Sequence, residues 1–274
     1  MTDRARIAAL EGRLVNAWPS FEVEYAEGWL LRFAEGYSKR ANAASPLLPG
    51  ARLDAELIRA ALEAFDARGI DPCFRLTGIE DPDAADALEA AGFVPFDPSL
   101  GMEAPLGPDL VRDAAVRLSP APKPAWIAAA AAAYGGEKSN RDILGRILRL
   151  IRRPAVFATL SLDGEDSAWG FAVYERGFVG LYDIVVAPEL RGLGLGRRLV
   201  TTLMAWGAGA GAARAYLQTR EANTVAQALY GSLGFQTAYR YTHRVRPDRA
   251  RTVATAAPAA ISTAASPSDR LGSP

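Results

Sequence analysis

Between residues 195 and 206 the apolar side chains Leu195, Leu199, Val200, Leu203 and Met204 recur every three to four positions, the spacing that lines one face of a helix. The stretch before it, 179–187, is an apolar run broken by one acid and halted at Pro188, which reads as a buried strand. Extended along the second half, the same patterns predict a strand near 114–118 and helices near 125–134 and 139–152. Strands follow near 155–162, 168–176 and 179–187, with an Asp163-Gly164 turn between the first two. Then come the helix 195–206, a strand 213–218, a helix 225–233 and a final strand 235–245. A helix near 3–17 opens the chain. This order predicts an α/β fold, a central sheet between helices.

Prolines at 105, 108, 120, 122 and 124 punctuate the middle of the chain and place a domain boundary near residue 107. The expected division is 1–107, 108–247, and an Ala/Ser/Pro-rich tail, 248–274, with too little to bury to offset the entropy of ordering. The two halves also align without gaps at a shift of 142 positions. The shift pairs Gly28 with Gly170, Pro46 with Pro188, Gly50 with Gly192, Leu53 with Leu195 and Leu57 with Leu199. It also pairs Gly69 with Gly211, Thr77 with Thr219, Ala84 with Ala226, and Gly92-Phe93 with Gly234-Phe235. Most matches are residues that turn the chain or pack it, which points to an internal duplication.

Composition narrows the chemistry. Lys+Arg and Asp+Glu both total 31, so no net charge is available to hold a nucleic acid or an acidic membrane. The lone Cys73 excludes an internal disulfide and a thiolate zinc site, and the single His243 excludes histidine-rich metal clusters. No metal is expected. The longest apolar run, Ile127 to Ala133, is too short to span a bilayer, and the opening residues have no apolar signal core. A cytoplasmic protein is the expectation.

Arg191-Gly192-Leu193-Gly194-Leu195-Gly196-Arg197 joins the strand 179–187 to the helix 195–206. Free N–H groups at a helix N-terminus, the helix dipole and glycines that let the backbone approach closely make such a loop a phosphate cradle. The dinucleotide pattern G-x-G-x-x-G fails, because Arg197 or Leu199 stands where its third glycine belongs. The triphosphate pattern fails too, since Arg197-Arg198 follows Gly196 in place of Lys-Ser/Thr.

The stretch VVAPELRGLGLGRRL, 185–199, resembles the signature of the GNAT superfamily of acyl-CoA N-acyltransferases, with Arg191, Gly194 and Gly196 in its fixed places. A second signature of that family is matched by Asn223, Ala226, Leu229-Tyr230 and Gly234-Phe235. The resemblance covers residues 112–246, and the first half joins it only through the repeat. It implies two tandem GNAT-like domains, each with a mixed, mostly antiparallel sheet flanked by helices. It further implies acetyl-CoA as co-substrate, with the pyrophosphate on the loop 191–197. The pantetheine arm would lie along the backbone of Ile184, Val185, Val186 and Ala187, and Asn223 and Ala226 would meet it.

Transfer to a primary amine needs a proton acceptor, because an ammonium titrates near ~10.4, and a proton donor for the leaving thiolate. Tyr230 is the candidate donor. Asp183 is the first candidate acceptor, ahead of Glu175, while His243 on the last strand reads as structural. In the first half Pro49, Gly50, Arg52 and Asp54 stand opposite the loop and Leu88 opposite Tyr230, so 1–107 reads as a degenerate copy without a coenzyme A loop. Trp29, Arg32, Tyr37, Lys39, Arg40 and Asn42 are its candidate substrate surface. The expected acceptor is a small-molecule or peptide amine, its identity left open. The alternative is a non-catalytic CoA-binding sensor or scaffold.

Overall fold

The computed structural model describes residues 3–132 and 138–248. The expected tail therefore lies outside the described residues from 249 onward. The first half supplies β1 (Glu22–Ala26), β2 (Trp29–Phe33), β3 (Ala44–Pro46), β4 (Phe74–Leu76) and β5 (Val94–Pro105). The second supplies β6 (Val116–Ser119), β7 (Ala155–Leu162), β8 (Glu165–Glu175), β9 (Phe178–Val186), β10 (Arg214–Arg220) and β11 (Gln236–Val245). Helices α1 (Asp3–Ala17), α2 (Ala55–Asp66), α3 (Ala84–Ala90), α4 (Pro124–Ala132), α5 (Lys138–Arg149), α6 (Leu195–Gly209) and α7 (Thr224–Ser232) accompany them.

Two sheets were expected, one in each half. The described strands instead form a single sheet in the order β1-β2-β3-β4-β11-β5-β10-β9-β8-β7-β6. The join is an exchange of last strands. β5 lies between β10 and β11, and β11 lies between β5 and β4, all antiparallel. Edge strands with unpaired N–H and C=O groups invite uncontrolled pairing. Here β4 and β10 are each covered by the final strand of the other half. The connection at residue 107 falls between β5 and β6, but strand pairing crosses it in both directions.

The repeat shift places the start of β5 opposite the start of β11, and the equivalence reaches the backbone. Gly50 and Gly192 have φ of 79° and 83°, Gly69 and Gly211 61° and 93°, and Gly92 and Gly234 83° and 85°. These left-handed values favour glycine. The pairing pattern repeats as well, since β3 runs parallel to β4 and β9 parallel to β10. The match of Gly28 with Gly170 does not hold: the first sits in the β1–β2 turn and the second inside β8.

The predicted helical face is the buried one. Leu195, Leu199, Val200, Leu203 and Met204 of α6 pack on β7, β8 and β9, each buried side chain contributing roughly 1.5–3 kcal/mol. Glycines permit two close approaches. A Cβ on Gly207 would fall 2.5 Å from Val179, and one on Gly101 of β5 would fall 2.0 Å from the Tyr239 ring of β11. Tyr239 cannot swing away freely, because its buried hydroxyl donates to Glu11 and accepts from Gln218. Gly101→Ala is therefore expected to destabilise the fold by about 1–3 kcal/mol in chemical denaturation, the usual overpacking cost. Wild-type stability would contradict the close strand exchange.

Helix α1 lies against both halves. Glu11 accepts two hydrogen bonds from buried Arg75 of β4, both 2.9 Å, and one from Gln218 of β10. Arg6 grips Glu103 of β5. Asn16 of the same helix donates to Glu175 at the end of β8.

Candidate active site

β9 and β10 pair in parallel only while Phe178–Leu181 face Arg214–Leu217. Beyond that point β9 keeps β8 as far as Val186, and β10 keeps β5 as far as Arg220. The two strands part into a wedge, with Tyr182 to Val186 on one side and Gln218 to Arg220 on the other. A bulge sets the parting point. Asp183 and Ile184 together stand opposite Gly170, where the β8–β9 register slips, and Asp183 has φ of 48°. A Cβ on Gly170 would lie 2.6 Å from Ile184 Cδ1, so a glycine is needed under the bulge.

The wedge opens into a groove of about 1240 Å³ between the halves. Asp183, Ile184, Val185, Asn223 and Tyr230 line it from the second half, and Tyr37, Lys39, Arg40 and Asn42 from the first. Val186, Ala187 and Ala226 do not line it. Ala187 turns inward and donates its N–H to Ser167, while Val186 and Ala226 pack on the core. Asn223 caps α7, its Oδ1 accepting the Ala226 N–H at 3.2 Å.

From Ala187 the chain makes a short 3-10 turn, Pro188–Leu190, and enters α6 through Arg191, Gly192, Leu193 and Gly194. Gly194, with φ of 76°, is the N-cap and gives α6 no side-chain cap. A Cβ on Gly192 or Gly194 would meet nothing within 4 Å, so space lies open over the loop. Gly196 serves packing, since a Cβ there would fall 3.3 Å from Leu229. Leu195 is buried beneath the loop, Leu193 is exposed, and Arg197 donates to Ser232. The matching helix α2 differs in the decisive respect. Asp54 is its N-cap, and Oδ1 takes the Leu57 N–H at 2.9 Å, so its own carboxylate occupies the anion position.

Tyr230 sits buried in the groove wall, and desolvation pushes its hydroxyl up to about 12, so it stays protonated across the neutral range. The Asp183 carboxylate is buried in an ion pair of 2.8 Å with Arg40, whose guanidinium also lies 4.0 Å over the Trp18 ring. Glu175 is far from this end. Nine residues of β9 separate the two ends of the strand by roughly 25 Å, and the Glu175 carboxylate is taken by Asn16 and Arg153. Two of the first half's candidates also fall outside. Trp29 is fully buried and donates to Arg52 O, and Arg32 is buried donating to Trp18 O and Arg40 O.

His243, which reads as structural in the sequence, is one of the groove's lining residues. It sits at 5 % exposure on the exchanged strand β11, and neither ring nitrogen has a hydrogen-bond partner. Burial, then Arg75, Lys39 and Arg40, hold it well below the ordinary 6.5. A folded-state value below the unfolded one means that stability is whole above about pH 6.5. It is lost as pH falls, by about 1.4 kcal/mol per pH unit, until the folded form also protonates. Wild type is therefore expected to lose stability relative to His243→Gln when denaturation is compared at pH 7.5 and 5.5; parallel losses would contradict a buried neutral ring.

Residues 4–246 match the family described as "Probable histone acetyltransferase Rv0428c C-terminal". The chain belongs to that family, within the GNAT superfamily. This GNAT acetyltransferase is 26 % identical over 249 residues to the "Uncharacterized N-acetyltransferase YobR" of Bacillus subtilis, covering 88 % of this chain and 98 % of that protein. It is 29 % identical over 249 residues to the "Probable histone acetyltransferase Rv0428c" of Mycobacterium tuberculosis, covering 85 % and 71 %. Among solved structures, a GCN5-related N-acetyltransferase from Kribbella flavida has the same fold, with a TM-score of 0.62 at 21 % identity over 89 % of this chain and 95 % of that one. A tandem GNAT protein from the clavulanic acid biosynthesis pathway gives 0.57 at 13 %, covering 86 % of each. Among the described residues no helix is long and apolar enough to cross a membrane.

Proposed function

We propose that this GNAT acetyltransferase uses acetyl-CoA to acetylate a primary amine, with coenzyme A held by the second half alone. The carrying observation is the wedge between β9 and β10, which opens beside the glycine-capped N-terminus of α6. The pyrophosphate lies on the N–H groups of Gly192 to Gly196, with Arg191 and Arg197 at the rim. The pantetheine arm takes the β10-facing backbone groups of Ile184 and Val185, where the sheet has no further strand to offer. N–H groups at this strand end polarise the thioester carbonyl. Tyr230 donates the proton to the departing thiolate, and Asp183, aimed by Arg40, receives the proton of the amine through groove solvent. The first half is a duplicated, degenerate copy: Asp54 closes its anion position, Leu88 replaces the tyrosine, and its loop 34–43 walls the acceptor side of the groove. Steady release of free CoA that requires an added amine is the expected result in a thiol assay. CoA binding without amine-dependent release supports the sensor or scaffold reading instead.

A further inference from the structure

The groove extends past the wedge to the exchanged strand β11, where its chemistry changes. His243 lies directly opposite Phe96 of β5 in the strand register, and Lys39 holds its ammonium 4.8 Å over that same Phe96 ring. Lys39 and His243 thus share one corner of the groove, with Tyr241 and Cys73 beside them. Most of the charged groups on the walls are committed. Arg40 pairs with Asp183, Arg68 with Glu22 and Glu24, Arg220 with Asp97 at 3.8 Å, and Glu35 with Arg146. Among the described residues Lys39 is in no salt bridge. Arg75, behind Tyr241, is matched by Glu11.

A buried imidazole with both nitrogens unpartnered is costly unless something fills the role. Burial first, and then three cations, Arg75, Lys39 and Arg40, keep this ring neutral, with one N–H to give. Asp97, paired with Arg220, also feels the Lys39 charge, but the charged groups that bear on the ring itself are cations, so beside it an ammonium would be repelled and an anion drawn in. We infer that the corner of Lys39 and His243 is a carboxylate subsite, and that the amine acceptor is amino-acid-like, its carboxylate held by Lys39 Nζ and the His243 ring N–H while its amine points toward the thioester. This rests on the acetyl-transfer proposal for where the amine goes, but the anion site itself can be observed without turnover.

His243 is the only histidine in the chain, so ring-15N-histidine labelling of the full protein gives a single, self-assigned imidazole. N-acetylglycine, a product-like acid, is expected to shift its signals in the low-millimolar range, and N-acetylglycinamide at the same concentration to leave them in place. In the thiol-release assay, L-amino acids are expected to exceed their own carboxamides by about tenfold or more in kcat/KM, the scale of a charge-assisted contact. That preference should collapse in Lys39→Met and return in Lys39→Arg. Equal shifts from acid and amide, carboxamides used as well as the acids, or an acid preference that survives Lys39→Met would each overturn the subsite. Turnover confined to amines without a carboxylate removes the subsite and leaves acetyl transfer standing. No turnover with any amine, together with unmoved His243 signals, removes both.

Discussion

Gly194→Asp is expected to weaken acetyl-CoA binding by about 100-fold or more while the protein stays folded. The substitution sets a carboxylate at the N-terminus of α6, as Asp54 does at that of α2, where it takes the Leu57 N–H. A carboxylate there sets a negative charge against the pyrophosphate. At about 4 Å and an effective dielectric of about 20, one such charge pair costs about 4 kcal/mol, and even partial screening leaves two orders of magnitude in Kd. The left-handed φ of 76° strains any side chain, aspartate less than most, and a Cβ meets nothing within 4 Å. Calorimetric titration reads the affinity and circular dichroism the fold. Unchanged affinity would remove the loop from coenzyme A binding.

Tyr230→Phe is expected to lower kcat by about 100-fold with acetyl-CoA affinity unchanged, the lower end of what a positioned general acid contributes. The ring stays, so its packing beside Phe235, at 5.8 Å between centroids, is kept. Only the hydroxyl goes, and burial keeps that hydroxyl protonated. Steady-state kinetics with saturating amine separate the effect from binding. A variant with wild-type kcat would leave Tyr230 a packing residue.

The glycine loop and its helix were legible because their pattern is local: five apolar positions on one face and glycines at the N-terminus of a helix. The elements of the second half fell near their expected places for the same reason. The exchange of β5 and β11 was not legible, since hydrogen bonding between strands of different halves leaves no periodic trace in either strand. That is also why His243 read as a structural residue. Its place in the groove depends on β11 lying between β4 and β5, opposite Phe96, over whose ring Lys39 sits. The repeat carried the only hint, because it aligned β5 with β11. Glu175 failed for a related reason: a position at the end of a strand says nothing about which end the groove occupies.

Titration of the full chain with acetyl-CoA tests the central claim most directly. One equivalent is expected to bind per chain, and the Gly194→Asp variant is expected to lose that binding. No binding, two equivalents per chain, or one equivalent that survives Gly194→Asp would contradict a coenzyme A site built by the second half on the N-terminus of α6.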